Sequence, residues 1–358
     1  MYYILLGMSL GFGFITKFKY GKKIYCFIMF LVLAMVSGLR NGVGYDFNPY
    51  IGIFYKSYLT QLETLMSGTL EKGYIFINET ISNFTLDYQW LFIVVAIIVA
   101  TAVMWFIYRY SKNVWLSVFA FLAFGCFYFS MDFMRQIFAG IIMMYAFKRL
   151  DENDYFYYVL LVLFASCFHK SALLMLPLLL ILKIPLNKIT FGIYTALTFI
   201  ALVFSEFFIQ LVLNKGYYTS YVLDNVHMTT GIPIIYGIVV GTIFVLAFIY
   251  RKDLIKMRSM NRILLVVAFL NAAFTIIGAK HSIISRFTVL LEIPVIVILL
   301  VDLILVMMKK IKNPNLKISI LLGFLLISMG YHFYLEMNNY NGVFPYEMVD
   351  LGYKYEIK

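Results

Sequence analysis

Charge is what this 358-residue sequence has least of: 13% of its residues are Asp, Glu, Lys or Arg, against 63% hydrophobic. A soluble domain wets its surface with about a quarter charged residues, so a soluble globular fold is excluded. Cysteine is nearly absent. The three present, Cys26, Cys126 and Cys167, are odd in number and fall in apolar runs. They are expected as buried apolar side chains and say nothing about disulfides. Signatures of cofactor and metal chemistry are missing too. Gly42-Val43-Gly44 leads into no P-loop or dinucleotide fingerprint, and nothing shows zinc-ligand spacing, a nucleophile elbow or a Cys/His pair. No cofactor and no metal are expected. There is also no internal repeat, no low-complexity linker and no domain boundary. The first apolar run lacks a basic segment before it, so it is expected to be an uncleaved anchor.

What the chain does have is apolar length, with a mean hydropathy of +0.88. Residues 2–16, 24–39, 90–108, 114–130, 189–213, 232–250, 263–279, 287–308 and 318–333 are long enough, or nearly so, to cross a core of about 30 Å. Three shorter runs, 136–147, 155–168 and 171–182, read as short spans, tilted spans or re-entrant segments. The net charge of +11 does not point to nucleic acid, because its placement follows the membrane. With both termini outside, the inner connections hold 19 of the 29 Lys and Arg, as the positive-inside rule requires. The fold expected is therefore an all-α polytopic bundle of about twelve spans with both termini outside. It forms a single transmembrane domain over 1–358, with an outer loop 40–89 between spans 2 and 3, an outer loop 214–231 and an outer tail 334–358. Gly42, Gly44, Asn48 and Pro49 favour irregular backbone at the start of the first loop. Residues 50–70 have the mixed pattern of an amphipathic helix lying on the membrane.

Polar residues gather at the predicted outer face. His169, His227, His281 and His332 lie at or beyond outer helix ends, as do Arg40, Arg135 and Arg286. Asp46, Asp132, Glu206 and Glu292 join them, and ionisable groups at such depths usually face a cavity or a partner. Arginine forks suit phosphate oxygens, and a histidine can act as base near neutral pH. Taken singly, each has a plainer reading. An Arg at a helix end is more often a snorkelling anchor, a lone His a hydrogen-bonded structural residue, and the two Glu neutralise neighbouring arginines. The run Asp151-Glu152-Asn153-Asp154 beside Lys148 and Arg149 reads as a solvated inner turn.

Several motifs narrow the choice. Arg40-Asn41-Gly42-Val43-Gly44-Tyr45-Asp46 followed by Tyr50 resembles the R-x-x-x-G-x-D-x-x-x-Y signature of the EpsG/Wzy family of bacterial polysaccharide repeat-unit polymerases. Glu71-Lys72-Gly73-Tyr74, Met134-Arg135-Gln136-Ile137-Phe138-Ala139 and Phe168-His169-Lys170-Ser171-Ala172-Leu173 with Pro177 are similar to later segments of that family. Ser285-Arg286-Phe287 and Pro345-Tyr346 complete the order. Tyr45 stands where the family usually has Thr, and Phe287 follows Arg286 where a Tyr-type residue is common.

The resemblance implies a glycosyltransferase of the bacterial plasma membrane with its active site outside. It would move a growing glycan from a polyprenyl diphosphate to a sugar hydroxyl of the next lipid-linked unit, whether of exopolysaccharide, capsule or O-antigen. Its partners would be the lipid-linked oligosaccharide, membrane lipids, and a co-polymerase and flippase of the same pathway, with no nucleic acid. Arg135 and Arg286, with Arg40, would hold the diphosphate; Glu292 would join them in binding substrate. His169 would be the base, and Asp46 would orient an Arg or a sugar, or serve as base in its place. An O-antigen ligase would use a similar set of groups. A flippase would need charges nearer the midplane and repeats in two halves.

Overall fold

The computed structural model describes residues 1–59, 70–181, 185–207, 210, 234–279, 284 and 286–349. The expected outer loop 214–231, with Asp224 and His227, and also His281 lie outside the described residues. Within them every regular element is helical, apart from one bridge that pairs Arg40 with Met348. In chain order the helices are α1 (Tyr2–Gly11), α2 (Gly21–Gly38), α3 (Phe47–Leu59), α4 (Lys72–Ser82), α5 (Gln89–Tyr110) and α6 (Val114–Ala123). Then come α7 (Cys126–Asp132), α8 (Met134–Asp151), α9 (Tyr155–Ser166), α10 (Lys170–Ile181, opening as a 3-10 turn), α11 (Lys188–Val203) and α12 (Ile234–Ile249). The last are α13 (Arg251–Met257), α14 (Asn261–Gly278), α15 (Arg286–Lys310) and α16 (Pro314–Met337).

Five helices, α2, α5, α14, α15 and α16, are long and apolar enough to cross a membrane, and α6 with α7 makes a sixth when that bent pair is taken as one. α9 to α12 are apolar but shorter. The all-helical class is as expected; twelve spans and outward termini remain expectations. The run 114–130, expected as one straight span, is broken. Gly125 takes φ +85°, a left-handed turn open to glycine at no steric cost, and the two halves meet at 57°. That bend delivers Asp132 to the end of α2.

The first loop is more regular than expected. α3 and α4 are both helical and pack together, and α3 seats Phe47 flat on Phe92 of α5 with ring centroids 4.4 Å apart. Asn48 and Pro49 sit in the first turn of α3, where proline's missing N–H costs nothing. Asn78, the first residue of a glycosylation pattern, is fully buried and donates to the Tyr74 carbonyl at 2.8 Å. Two cysteines are buried as expected, but Cys167 is exposed, because it lies in the turn that ends α9. Glu206 is exposed as well.

The two ends of the bundle differ in chemistry. At the end opposite the first loop, Asp302 of α15 is 1% exposed and accepts from Arg258 Nε and Asn261 Nδ2, both at 3.0 Å. Arg258 also donates to the Tyr110 carbonyl, tying α5, α13, α14 and α15 together. The acidic run 151–154 is a turn as expected: Lys148 pairs with Asp151 at 2.7 Å, and Asp154 caps α9. Removing one partner of a buried ion pair costs about 3–5 kcal/mol. Asp302→Ala is therefore expected to lower thermal stability in detergent and membrane-inserted yield. Activity per folded molecule should stay unchanged, because Asp302 lies about 24 Å along α15 from Arg286 at 1.5 Å per residue.

Candidate active site

Charged and titratable residues, most of them predicted from sequence, gather at the ends of different helices. Arg40 follows α2, Asp46 precedes α3, Glu71 precedes α4 and Asp132 ends α7; Arg135 opens α8, His169 precedes α10 and Arg286 opens α15. Each cap leaves backbone groups unpaired, and here they bond across the helix ends. Gly44 and Tyr45 donate to the carbonyls of Gly342 and Asn341 at 2.9 and 3.2 Å, while Asn41 donates to Glu347 and Val349 to Leu39. Residues 341–349 of the expected tail thus form an ordered strap over residues 39–46; residues 350–358 lie outside the described residues. Tyr2 and Tyr346 pin it further by donating to the Val343 and Val36 carbonyls.

Beneath the strap lies Arg40, with no exposed surface. Its Nη1 donates to Ser37 O at 2.5 Å and Ser37 Oγ at 3.2 Å, and its Nη2 donates to Met131 O at 2.8 Å and Met134 Sδ at 3.7 Å. The guanidinium also stacks 4.6 Å from the Phe92 centroid. Burial lowers its pKa to about 10, against the pull of Asp132, so the group stays charged at neutral pH. The structure encloses the arginine that sequence offers as a third diphosphate ligand. Sequence marks it as an outer arginine, but the strap and α7 close over it, and its bound acceptors are the protein's own.

Arg135 and Arg286 are partly exposed. Arg135 Nη1 meets Glu71 Oε2 at 2.9 Å, and Arg286 lies over the Phe133 ring at 5.6 Å. His169 is tied to Arg135 through Gln136 and Glu71, and the charges of Glu71, Arg135 and Arg286 all act on it. Its Nδ1 is 2.5 Å from Ser171 Oγ and its Nε2 3.3 Å from Gln136 Nε2. With the proton on Nδ1 the ring donates to Ser171 Oγ, and Nε2 accepts from Gln136 through a long, easily exchanged contact; with the proton on Nε2, Nδ1 accepts the Ser171 N–H at 3.4 Å. Burial first, then the two arginines, lowers its pKa to about 4, while Glu71 acts in the other direction. The imidazole is neutral across the physiological range.

Asp46 joins this group through Asp132, which accepts its backbone N–H at 2.9 Å, and through Tyr50, whose field includes Asp46 and Arg135. Glu292 does not sit in the same layer. It is 2% exposed, about 9 Å along α15 from Arg286 at 1.5 Å per residue. Its neighbours are Tyr236 and Cys126. His332 is buried and bonded to Tyr128 at 2.8 Å, the structural role expected of a lone histidine. Two members were given no role from sequence, Glu71 and Asp132. Their signal was positional: Glu71 opens the Glu71-Lys72-Gly73-Tyr74 motif, and Asp132 stands three residues before Arg135.

The different burial of the two arginines separates their roles experimentally. Arg40→Lys leaves buried carbonyls of Ser37 and Met131 short of donors, each worth about 1–3 kcal/mol. It is expected to lower the amount and thermal stability of folded protein. Arg135→Ala should leave both near wild type, as read by fluorescence-detected gel filtration after heating.

No curated protein and no solved structure matches the chain. A family model matches it over residues 23–348, from α2 into the strap, a range that includes Arg40, Asp46, Glu71, Asp132, Arg135, His169, Arg286 and Glu292. The chain belongs to the EpsG family, the family of Wzy-like polysaccharide polymerases, and is a multi-pass membrane protein.

Proposed function

We propose that this protein polymerises lipid-linked oligosaccharide repeat units at the outer face of the bacterial plasma membrane. The observation that carries the reading is the meeting of two partly exposed arginines, Arg135 and Arg286, with one neutral histidine, His169. Arginine forks bind phosphate oxygens by charge-assisted bonds, and a neutral imidazole can take a proton.

In the reaction the acceptor hydroxyl oxygen forms a bond to the anomeric carbon of the donor glycan. The bond from that carbon to the diphosphate oxygen breaks, and its electron pair leaves with the polyprenyl diphosphate. The hydroxyl proton passes to His169 Nε2. Arg135 and Arg286 stabilise the charge that grows on the leaving oxygen, an effect largest where donors are fixed beforehand. Asp46 orients the acceptor or a guanidinium; Arg40 positions the loop that carries Asp46. Glu292, buried one layer deeper against Tyr236 and Cys126, takes no part in the step. The candidate site groups gather at one end of the bundle, which favours surface chemistry over a flippase with a midplane site. A ligase would keep these groups and change only the acceptor.

The test is electrophoresis of glycans from cells lacking the protein, complemented with wild type, Arg135→Ala or His169→Ala. Both variants should lose the long-chain ladder at normal protein level. Removing one charge-stabilising donor or the base is expected to cost about 10²–10³-fold or 10²–10⁴-fold in rate. A normal ladder from both would remove the site assignment, and repeat units held on the inner leaflet would make the protein a flippase.

The pH profile gives a second test. A base works only when deprotonated, so activity falls as pH drops through its pKa. The acid limb of kcat/KM, which reports the free enzyme, is expected near pH 4 and not near the ordinary 6.5 of histidine. That of kcat should lie higher, because bound diphosphate offsets the two arginines. An acid limb of kcat/KM at 6.5 would exclude His169 as this base.

A further inference from the structure

We infer that Glu71 is the positioning residue of this site, holding the diphosphate-binding Arg135 and the turn that carries His169 at a fixed spacing. The inference rests on the functional reading above. Its geometry is independent of it. One carboxylate oxygen of Glu71 meets Arg135 Nη1 at 2.9 Å, and the other accepts from the Lys170 N–H at 3.5 Å. Lys170 follows His169 directly. A single carboxylate therefore touches the clamp through one oxygen and the backbone beside the base through the other.

The local backbone is built to place that carboxylate. Gly73 N–H donates to the Cys167 carbonyl at 2.7 Å, two residues before His169. A Cβ at Gly73 would stand 2.7 Å from that same oxygen, so only glycine lets the two chains approach this closely. The start of α4 is thus fastened to the end of α9, and Glu71 is carried with it. Glu71 occupies the N-cap of α4, where a carboxylate would ordinarily bond the helix's own first N–H groups. It makes no such bond. Its side chain turns to Arg135 instead, and is 9% exposed. A cap contributes to α4 alone; this carboxylate links three elements.

An orienting partner is needed at this point because of what Arg135 is. Its side chain is long and carries about 2 kcal/mol of rotamer entropy, which an unheld guanidinium would lose on meeting the donor. Fixing it beforehand moves that loss out of the catalytic cycle. Glu71 also balances charge. Facing His169 are the arginines of α8 and α15, the Gln136 amide, Ser171 and Glu71. Glu71 alone of these is anionic.

Position and charge are separable by substitution. Glu71→Gln keeps the shape and loses the charge; Glu71→Ala loses both; Glu71→Asp keeps the charge on a shorter arm. Kinetics would be followed with purified protein and the lipid-linked repeat unit that accumulates in cells lacking it. Glu71→Ala is expected to raise the KM for this donor and lower kcat/KM about ten- to a hundred-fold, the range for losing an orienting partner behind a reacting group. Glu71→Gln should lower kcat without raising KM and move the acid limb of kcat/KM downward, since the charge favouring protonation of His169 is gone. Glu71→Asp should restore the acid limb and part of the rate. Wild-type kcat, KM and acid limb in both Gln and Ala variants, with Arg135→Ala and His169→Ala inactive, would overturn the role of Glu71 and leave the polymerase reading standing. Normal polymer from Arg135→Ala and His169→Ala as well would overturn both.

Discussion

A guanidinium sealed inside the end of a helix bundle is the constraint from which the rest of this site follows. Arg40 has no exposed surface, and a buried charge is tolerated only when it is paired and hydrogen-bonded. Its acceptors come from the last turn of α2 and the last turn of α7, with the ring of Phe92 on α5 against its face. Meeting the two terminal nitrogens of one cation, with Nε left unbonded, therefore fixes three helix ends relative to each other. The bend at Gly125 serves the same purpose, because a straight helix from Val114 would not bring Met131 and Asp132 back over α2. The strap then shuts water out: the Arg40–Met348 bridge and the bonds on either side of it close the space above the guanidinium.

With Arg40 held, the neighbouring loop has little freedom. Asp132 accepts the Asp46 N–H, and Phe47 stacks on the same Phe92 that carries the guanidinium. The buried ion fixes the inner wall, and Asp46 and Tyr50 stand on that wall. Outside it the charges are arranged differently. Arg135 is held by a carboxylate and Arg286 by an aromatic face, so both are oriented without being enclosed. Two tasks are thus divided among three arginines by burial: Arg40 builds, while Arg135 and Arg286 are left within reach of a ligand.

Much of this was legible in the sequence. Apolar run lengths and sparse charge give the helical membrane class, and the motif order gives the family and brings Asp46, Arg135, His169 and Arg286 to one end. What could not be read was depth. Arg40, Arg135 and Arg286 look equivalent on paper, since hydropathy reports position along a helix and not what folds over its end. The strap that buries Arg40 lies about 300 residues away in sequence, and no local pattern announces that pairing. Glu71 was hidden for a similar reason: at an N-cap its default reading is a helix start, and only the turn at Cys167 turns it toward Arg135. The helix read over 50–70 is present as far as Leu59, but Asn48 and Pro49, read as irregular backbone, fall in its first turn. The break at Gly125 was not legible, because a glycine within a long apolar run is common in spanning helices.

The site sits at helix ends for a physical reason. An ionisable side chain in the middle of a span is costly, whereas at a helix end it meets unpaired backbone groups and the interface. Here α3, α4, α8 and α15 all begin at the cluster, and the N-terminus of a helix carries partial positive charge. Those ends add to Arg135 and Arg286, so the region favours an anion before any ligand arrives. The anions the protein supplies itself, Asp46 ahead of α3 and Glu71 ahead of α4, stand where that field would place a phosphate. The same charge that makes the region ready for a diphosphate also lowers the pKa of His169. On the proposed reading, an arriving diphosphate works against that lowering, so the base becomes stronger when its substrate is present. Clamp and base would then be coupled through charge alone, with no moving part required.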